Sequence, residues 1–241
     1  MRTIALLGAA ALVTACHAAG NAEGTGPVAQ RDIPVAGAFD RIALSGSPDV
    51  IVTVGAAASV RAEGEAEMLD RLEITNENGQ LQIGLKHNSG SWFDWGSHRG
   101  VTIHVTLPAI AGASITGSGN MRIDRAQGPA FAASVTGSGD MNIAALTADQ
   151  ASFTVTGSGD ITAAGHARQA TASLNGSGDL HLTQLETETA AVNLQGSGDI
   201  GIHATQTAAV ELHGSGDINV SGPARCTISK SGSGDVHCGG A

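Results

Sequence analysis

The sequence predicts an all-β solenoid, a parallel β-helix or β-roll with rungs of 18–20 residues, and three observations carry that prediction. The tetrapeptide Gly-Ser-Gly-Asp returns seven times, beginning at Gly117 (with Asn120 in fourth place), Gly137, Gly157, Gly176, Gly196, Gly214 and Gly232. The intervals are 20, 20, 19, 20, 18 and 18 residues, the steadiness expected of stacked units that cannot bury an apolar face alone. The flanks of every copy alternate. Two positions before the first Gly stand Ile115, Val135, Val155, Leu174, Leu194 and Leu212, and directly after the fourth residue stand Met121, Met141, Ile161, Leu180, Ile200, Ile218 and Val236. Polar residues such as Thr136, Asn175, Asn142 and Thr162 fall between them, which is the period of a strand with one buried face. Finally, with four Phe, two Trp and no Tyr, the core has to be a thin one made of aliphatic ladders.

Each repeat therefore reads as strand, glycine turn, strand, and then a looser second turn such as Ala145 to Gln150. With one repeat per rung, like positions stack about 4.8 Å apart and the turns form a ridge of roughly 30 Å. An antiparallel meander of hairpins competes, but hairpins do not require identical turn chemistry in every repeat, whereas stacked rungs favour it. The last repeat places Lys230 where the others have an aliphatic side chain, as expected of a polar terminal rung.

Ahead of the repeats the rhythm changes. Residues 1–15 have the form of a secretory signal, with Arg2 followed by the apolar run Ile4 to Val13. Residues 16–32 read as a flexible Gly/Ala-rich tether, 33–116 as an irregular N-terminal β part of the solenoid, and 117–241 as its regular part. Strand patterning covers Phe39 to Leu44, Val50 to Val54, Val60 to Ala62, Leu72 to Thr75, Leu81 to Leu85 and Val101 to Leu107. Gly46-Ser47-Pro48-Asp49 looks like a degenerate further copy of the turn, and Glu65 to Arg71 suits one short helical stretch with Glu67 and Arg71 at i,i+4.

Two resemblances add to this. Leu12-Val13-Thr14-Ala15-Cys16 resembles a bacterial lipobox, which implies cleavage before Cys16, lipid on that residue and, with His17 following, sorting to the outer membrane. An ordinary secretory signal is the plainer alternative. The order Phe39-Asp40-Arg41-Ile42, Gly-Ser-x-Asp, Val50 to Gly55, Leu81 to Leu85, Val101 to Pro108 and then the repeated turn is similar to the bacterial family described as putative auto-transporter adhesin, head GIN domain. The likeness spans roughly residues 33 to 238. It implies a β-helical fold, a proposed adhesion role and no catalytic residues to carry over.

The chemistry legible in the residues is sparse. A net charge of −10, with 12 Lys and Arg, argues against nucleic acid and against electrostatic docking on anionic lipid. Nine scattered His form no zinc-type spacing, and no Gly-x-Ser-x-Gly elbow occurs, so no metal site, cofactor or catalytic residue is expected. Asp140, Asp160, Asp179, Asp199, Asp217 and Asp235 would stack into a carboxylate ladder whose neighbours repel by roughly 3 kcal/mol at an effective dielectric of 20. Ca²⁺ would relieve that repulsion, but one Asp per rung is far from six to eight oxygen ligands. Turn chemistry, with the side-chain oxygen on a backbone N–H, is the favoured reading, because Asn120 keeps the oxygen and drops the charge.

Trp92, Phe93 and Trp95 crowd one loop, either as a binding surface for a glycan or envelope protein or, the favoured reading, as a cover over the core. Cys226 and Cys238, both in inward phase in the last repeat, suggest a disulfide rather than two packed thiols. The expectation is a non-enzymatic binding, adhesion or structural module of the cell envelope, joined to the membrane by its lipid. A β-helical polysaccharide-processing enzyme and an envelope-sensing accessory protein with a membrane partner are the alternatives. An exposed end rung leaves homo-oligomers open.

Overall fold

A computed structural model describes residues 28–86 and 100–239. It is an all-β solenoid of about six turns. The strands are β1 (Val28–Asp32), β2 (Arg41–Gly46), β3 (Asp49–Val54), β4 (Ser59–Glu65), β5 (Leu72–Glu77), β6 (Gln80–Leu85), β7 (Thr102–Leu107), β8 (Gly112–Gly117) and β9 (Met121–Ile123). The repeats follow as β10 (Ala126–Gly137), β11 (Met141–Gly157), β12 (Ile161–Gly176), β13 (Leu180–Gly196), β14 (Ile200–Gly214), β15 (Ile218–Ser221), β16 (Arg225–Gly232) and β17 (Val236–Cys238). One short helix, α1 (Ala66–Arg71), carries the Glu67–Arg71 pair at 2.6 Å.

From β8 onward every strand pairs in parallel with its counterpart one rung away, and the register joins like positions. Val155 lies between Val135 and Leu174, and Gly157 between Gly137 and Gly176. A full rung has three faces. In β11 the buried residues are Met141 and Ile143, then Leu146 and Ala148, then Ala151, Phe153 and Val155, and the exposed pairs Ala144-Ala145 and Asp149-Gln150 mark the bends between faces. The stretch expected as a loose second turn, Ala145 to Gln150, is thus a short strand face, with Leu146 opposite Gly165 and Ala148 opposite Ala167. The 19-residue rung loses its residue at that bend. Gly165 occupies the shortened corner at φ +125°, and a Cβ there would overlap the carbonyl oxygen of Leu146.

The N-terminal strands belong to the same sheet but do not stack in chain order. The layer β2–β3 lies between β8–β9 on one side and β6–β7 on the other, all parallel. The hairpin Asn78-Gly79 turns the chain back so that β5 pairs antiparallel with β6, while β4 lies antiparallel to β7 and β1 antiparallel to β4. The predicted tether also ends earlier than residue 32, because Val28–Asp32 is strand β1. Its pairing with β4 is reinforced by Arg61 on Asp32, and Arg31 on Asp70 ties it to α1, both at 2.8 Å. Those partners are remote in sequence, which is why composition alone read the segment as linker.

Candidate functional site

The turn ridge is where chemistry repeats. In every repeated turn but the one at Gly196, where Ser197 alone donates to Gly176, two backbone N–H groups converge on one carbonyl of the rung before: Ser158 and Gly159 donate to the oxygen of Gly137 at 2.8 and 3.1 Å. The third, from Asp160, donates to Oδ1 of Asp140 at 3.1 Å. The same bond joins Asp140 to Asn120 at 3.1 Å, Asp179 to Asp160 and Asp199 to Asp179 at 2.8 Å, Asp217 to Asp199 at 2.9 Å and Asp235 to Asp217 at 2.7 Å. Each side-chain oxygen thus serves the neighbouring rung rather than its own turn. Asn120 serves as well as Asp because the bond needs an acceptor and not a charge. The glycines are set by the same closeness. Gly157 sits at φ +126°, and a Cβ on Gly157 or Gly159 would overlap the backbone of the rung before.

Two participants were not singled out as site residues in the sequence. Asp49, from the degenerate turn, begins the ladder by accepting the N–H and the side-chain amide of Asn120 at 3.2 and 2.9 Å. His181 joins Asp160 and Asp179 in a group whose donor atoms lie within 4.8 Å of one another. Its Nε2 is 4.0 Å from Asp179 Oδ2. Both carboxylates already accept an N–H through Oδ1. The oxygens left over fall well short of a calcium shell, so the donor set fits turn chemistry better than calcium. Beside the ridge runs an open groove of about 520 Å³, with Ile51, Arg122, Thr162 and His181 on one flank and Asp140 and Asp160 on the other.

The loop residues Trp92, Phe93 and Trp95 lie outside the described residues, as does Cys16. The attachment of that loop is described. Since β6 pairs with β2 and β7 with β3, β6 ends and β7 begins at the corner where Gly46 to Asp49 join β2 to β3. Asp49 N–H donates to the carbonyl of Val101 at 2.9 Å, so the loop leaves and returns at one end of the ridge. At the other end, Cys226 continues the inward column of Ala208 and Cys238 that of Val220. The two are joined as a disulfide with Cα atoms 6.3 Å apart, lying across the final rung against the core. Lys230 replaces the last aliphatic of its column and reaches Asp235 at 3.4 Å. No helix among the described residues is long and apolar enough to cross a membrane, a statement that leaves strands aside.

Comparison with known proteins places this geometry. The model of the family described as putative auto-transporter adhesin, head GIN domain, matches residues 38–224. No curated protein matches the sequence. Among solved structures, a putative adhesin from Bacteroides fragilis superimposes with a TM-score of 0.80 at 21% identity, covering 88% of this chain and 96% of that one. A putative lipid binding protein from Parabacteroides distasonis gives 0.69 at 22%, covering 90% and 98%. A putative adhesin from Parabacteroides merdae gives 0.66 at 17%, covering 89% and 97%. At these identities the structures establish the shared fold.

Proposed function

Because the chain belongs to the family described as putative auto-transporter adhesin, head GIN domain, we propose that it is a non-catalytic binding or adhesion module of the bacterial cell envelope, held to the membrane by lipid on Cys16. Family and structural neighbours are described as adhesins or lipid binding, not as enzymes. The observation that carries the reading is the engagement of the ridge. Its aspartates from Asp140 to Asp217 each accept a backbone N–H of the next rung, and Asp235 at the end meets Lys230. A rigid rod whose rungs hold one another in this way suits presentation of a surface better than proton transfer. In such a rod Cys16 serves as the root, and the Trp92 to Trp95 segment, attached at the end of the ridge, is a candidate contact.

The test is performed on the full chain in a bacterial host. Labelled palmitate is expected to be incorporated at Cys16 and lost in Cys16→Ser, and purified protein is expected to be retained on isolated cell envelopes without altering their polysaccharide. Release of soluble sugar fragments would instead identify the polysaccharide-processing enzyme. Stoichiometric capture of one membrane protein would identify the sensing accessory protein.

A further inference from the structure

The third face of the solenoid carries a pattern of its own. Residues 112–117, 131–137, 151–157, 170–176 and 190–196 form five successive rungs of it in register, and residues 208–214 continue it with Glu211 beside Asn193 and His213 beside Gln195. None of the residues in those five rungs of the face, from 112 to 196, is charged, in a chain with 12 basic and 22 acidic side chains. Charges gather around that stretch, on the aspartate ridge, at the bend where Asp149, Arg168 and Glu188 meet, and at Glu211 where the face continues into the next rung. The outward positions of the face are mostly Ser, Thr, Asn and Gln, and among the described residues none of their side chains hydrogen-bonds within the protein. Hydroxyls on other faces do find partners. Thr187 donates to the carbonyl of His203 at 2.6 Å, Thr205 to that of Thr187 at 3.0 Å and Ser221 to that of Ile202 at 3.2 Å. A shallow groove of about 300 Å³ runs down the uncharged face between two columns, lined by Thr154, Thr156, Ser173, Asn175, Asn193 and Gln195.

We propose that this face is a binding surface for a neutral polysaccharide, laid along the solenoid axis in the groove between the two columns. The inference rests on the envelope-binding reading and names its site and ligand class. Over these five rungs the absence of charge, with the acidic Glu211 beyond them, removes the attraction that an anionic lipid surface, a nucleic acid or an acidic polymer would need. The absence of outward aromatic and Arg side chains removes the anchors of a protein interface. What the face offers is hydroxyls and carboxamides, each both donor and acceptor, which is the complement of a chain of sugar hydroxyls. The groups recur at the rung spacing of about 4.8 Å, so a repeating polymer meets similar chemistry at each step. Single contacts compete with water and are weak. Affinity is gained by engaging several rungs at once, and it rises with polymer length.

The test is retention of the full-length protein on immobilised dextran, mannan and cellulose, with the polyanion alginate alongside and isolated envelopes as reference. Wild type is expected to bind at least one neutral polymer, more tightly as its chain lengthens. Thr154→Glu with Asn193→Glu is expected to weaken that binding at least tenfold, whereas Thr147→Glu, exposed on the middle face, leaves it unchanged. Ser173→Ala with Asn175→Ala removes hydrogen-bonding groups without adding charge, and melting curves of all variants establish that they are folded. Binding only to alginate, or equal binding by wild type and both double variants, overturns the proposal. If the double variants still bind envelopes like wild type, the face is excluded and the envelope module stands. If wild type binds no envelope material, both readings fail.

Discussion

At the scale of single residues, Asp160 shows what the turn selects. Its Oδ1 accepts the N–H of Asp179, and its own N–H goes to Asp140. Asp160→Asn keeps the acceptor and removes one member of a row of like charges. We expect its melting temperature to equal or exceed that of the wild type, most clearly at low salt. Asp160→Ala leaves the N–H of Asp179 to water and is expected to lose about 1 kcal/mol in denaturant unfolding. An alanine variant as stable as the asparagine one would show that the side-chain bond contributes nothing. Gly159→Ala should be far worse than either, because its Cβ has no room beside the carbonyl of Gly139, and backbone of two rungs must part to admit it. A loss of several kcal/mol or a failure to fold is expected, in line with glycine positions that other residues cannot share.

At the scale of elements, the turn and its flanking strands were legible because they repeat, and repetition exposes both the buried columns and the glycine corner. The middle face was not, since Leu146 to Ala148 is short and its bends, Ala144-Ala145 and Asp149-Gln150, contain no glycine. Leu146 and Leu185 were the available signal, opposite the Gly165 that absorbs a missing residue. The reversed stacking at the N-terminal end was foreshadowed by Asn78-Gly79, an established hairpin pair, but a scan for parallel rungs passes over it. Of the candidate site, the aspartates were legible from their period, whereas the bond from each to the next rung depends on register and appears only in three dimensions.

The last rung shows how an element is stopped. Ile228 is 46% exposed because no further rung covers it, and the disulfide from Cys226 to Cys238 holds the two ends of that rung together. Cys226→Ser with Cys238→Ser is expected to lose about 2 to 3 kcal/mol by the chain-entropy account of a short loop. Hydrogen exchange should rise first in β16 and β17 and leave β11 to β13 protected. Uniform loss of protection along the solenoid would mean that the end rung is not a separate unit.

For the whole molecule, each rung contacts its neighbours and little else, so stability is set by the interfaces between rungs. Along every interface two hydrogen-bonded columns and the hydrophobic core act together, while the carboxylates of the ridge act against them. The chain carries a net charge of −10, and Asp49 and six further aspartates stand in one row with Asn120. Repulsion of this kind is long-ranged and is screened by salt, with a Debye length of about 8 Å at physiological ionic strength. Raising monovalent salt from a few millimolar to physiological strength should therefore raise the melting temperature, and more for the wild type than for a chain in which alternate ridge aspartates are Asn. Calcium and magnesium at equal ionic strength should act alike, since the ridge provides screening sites but not a coordination shell. An added shift of several degrees with calcium alone, lost in Asp179→Asn, would instead locate a specific ion at Asp160, Asp179 and His181 and make the ridge a metal-dependent scaffold.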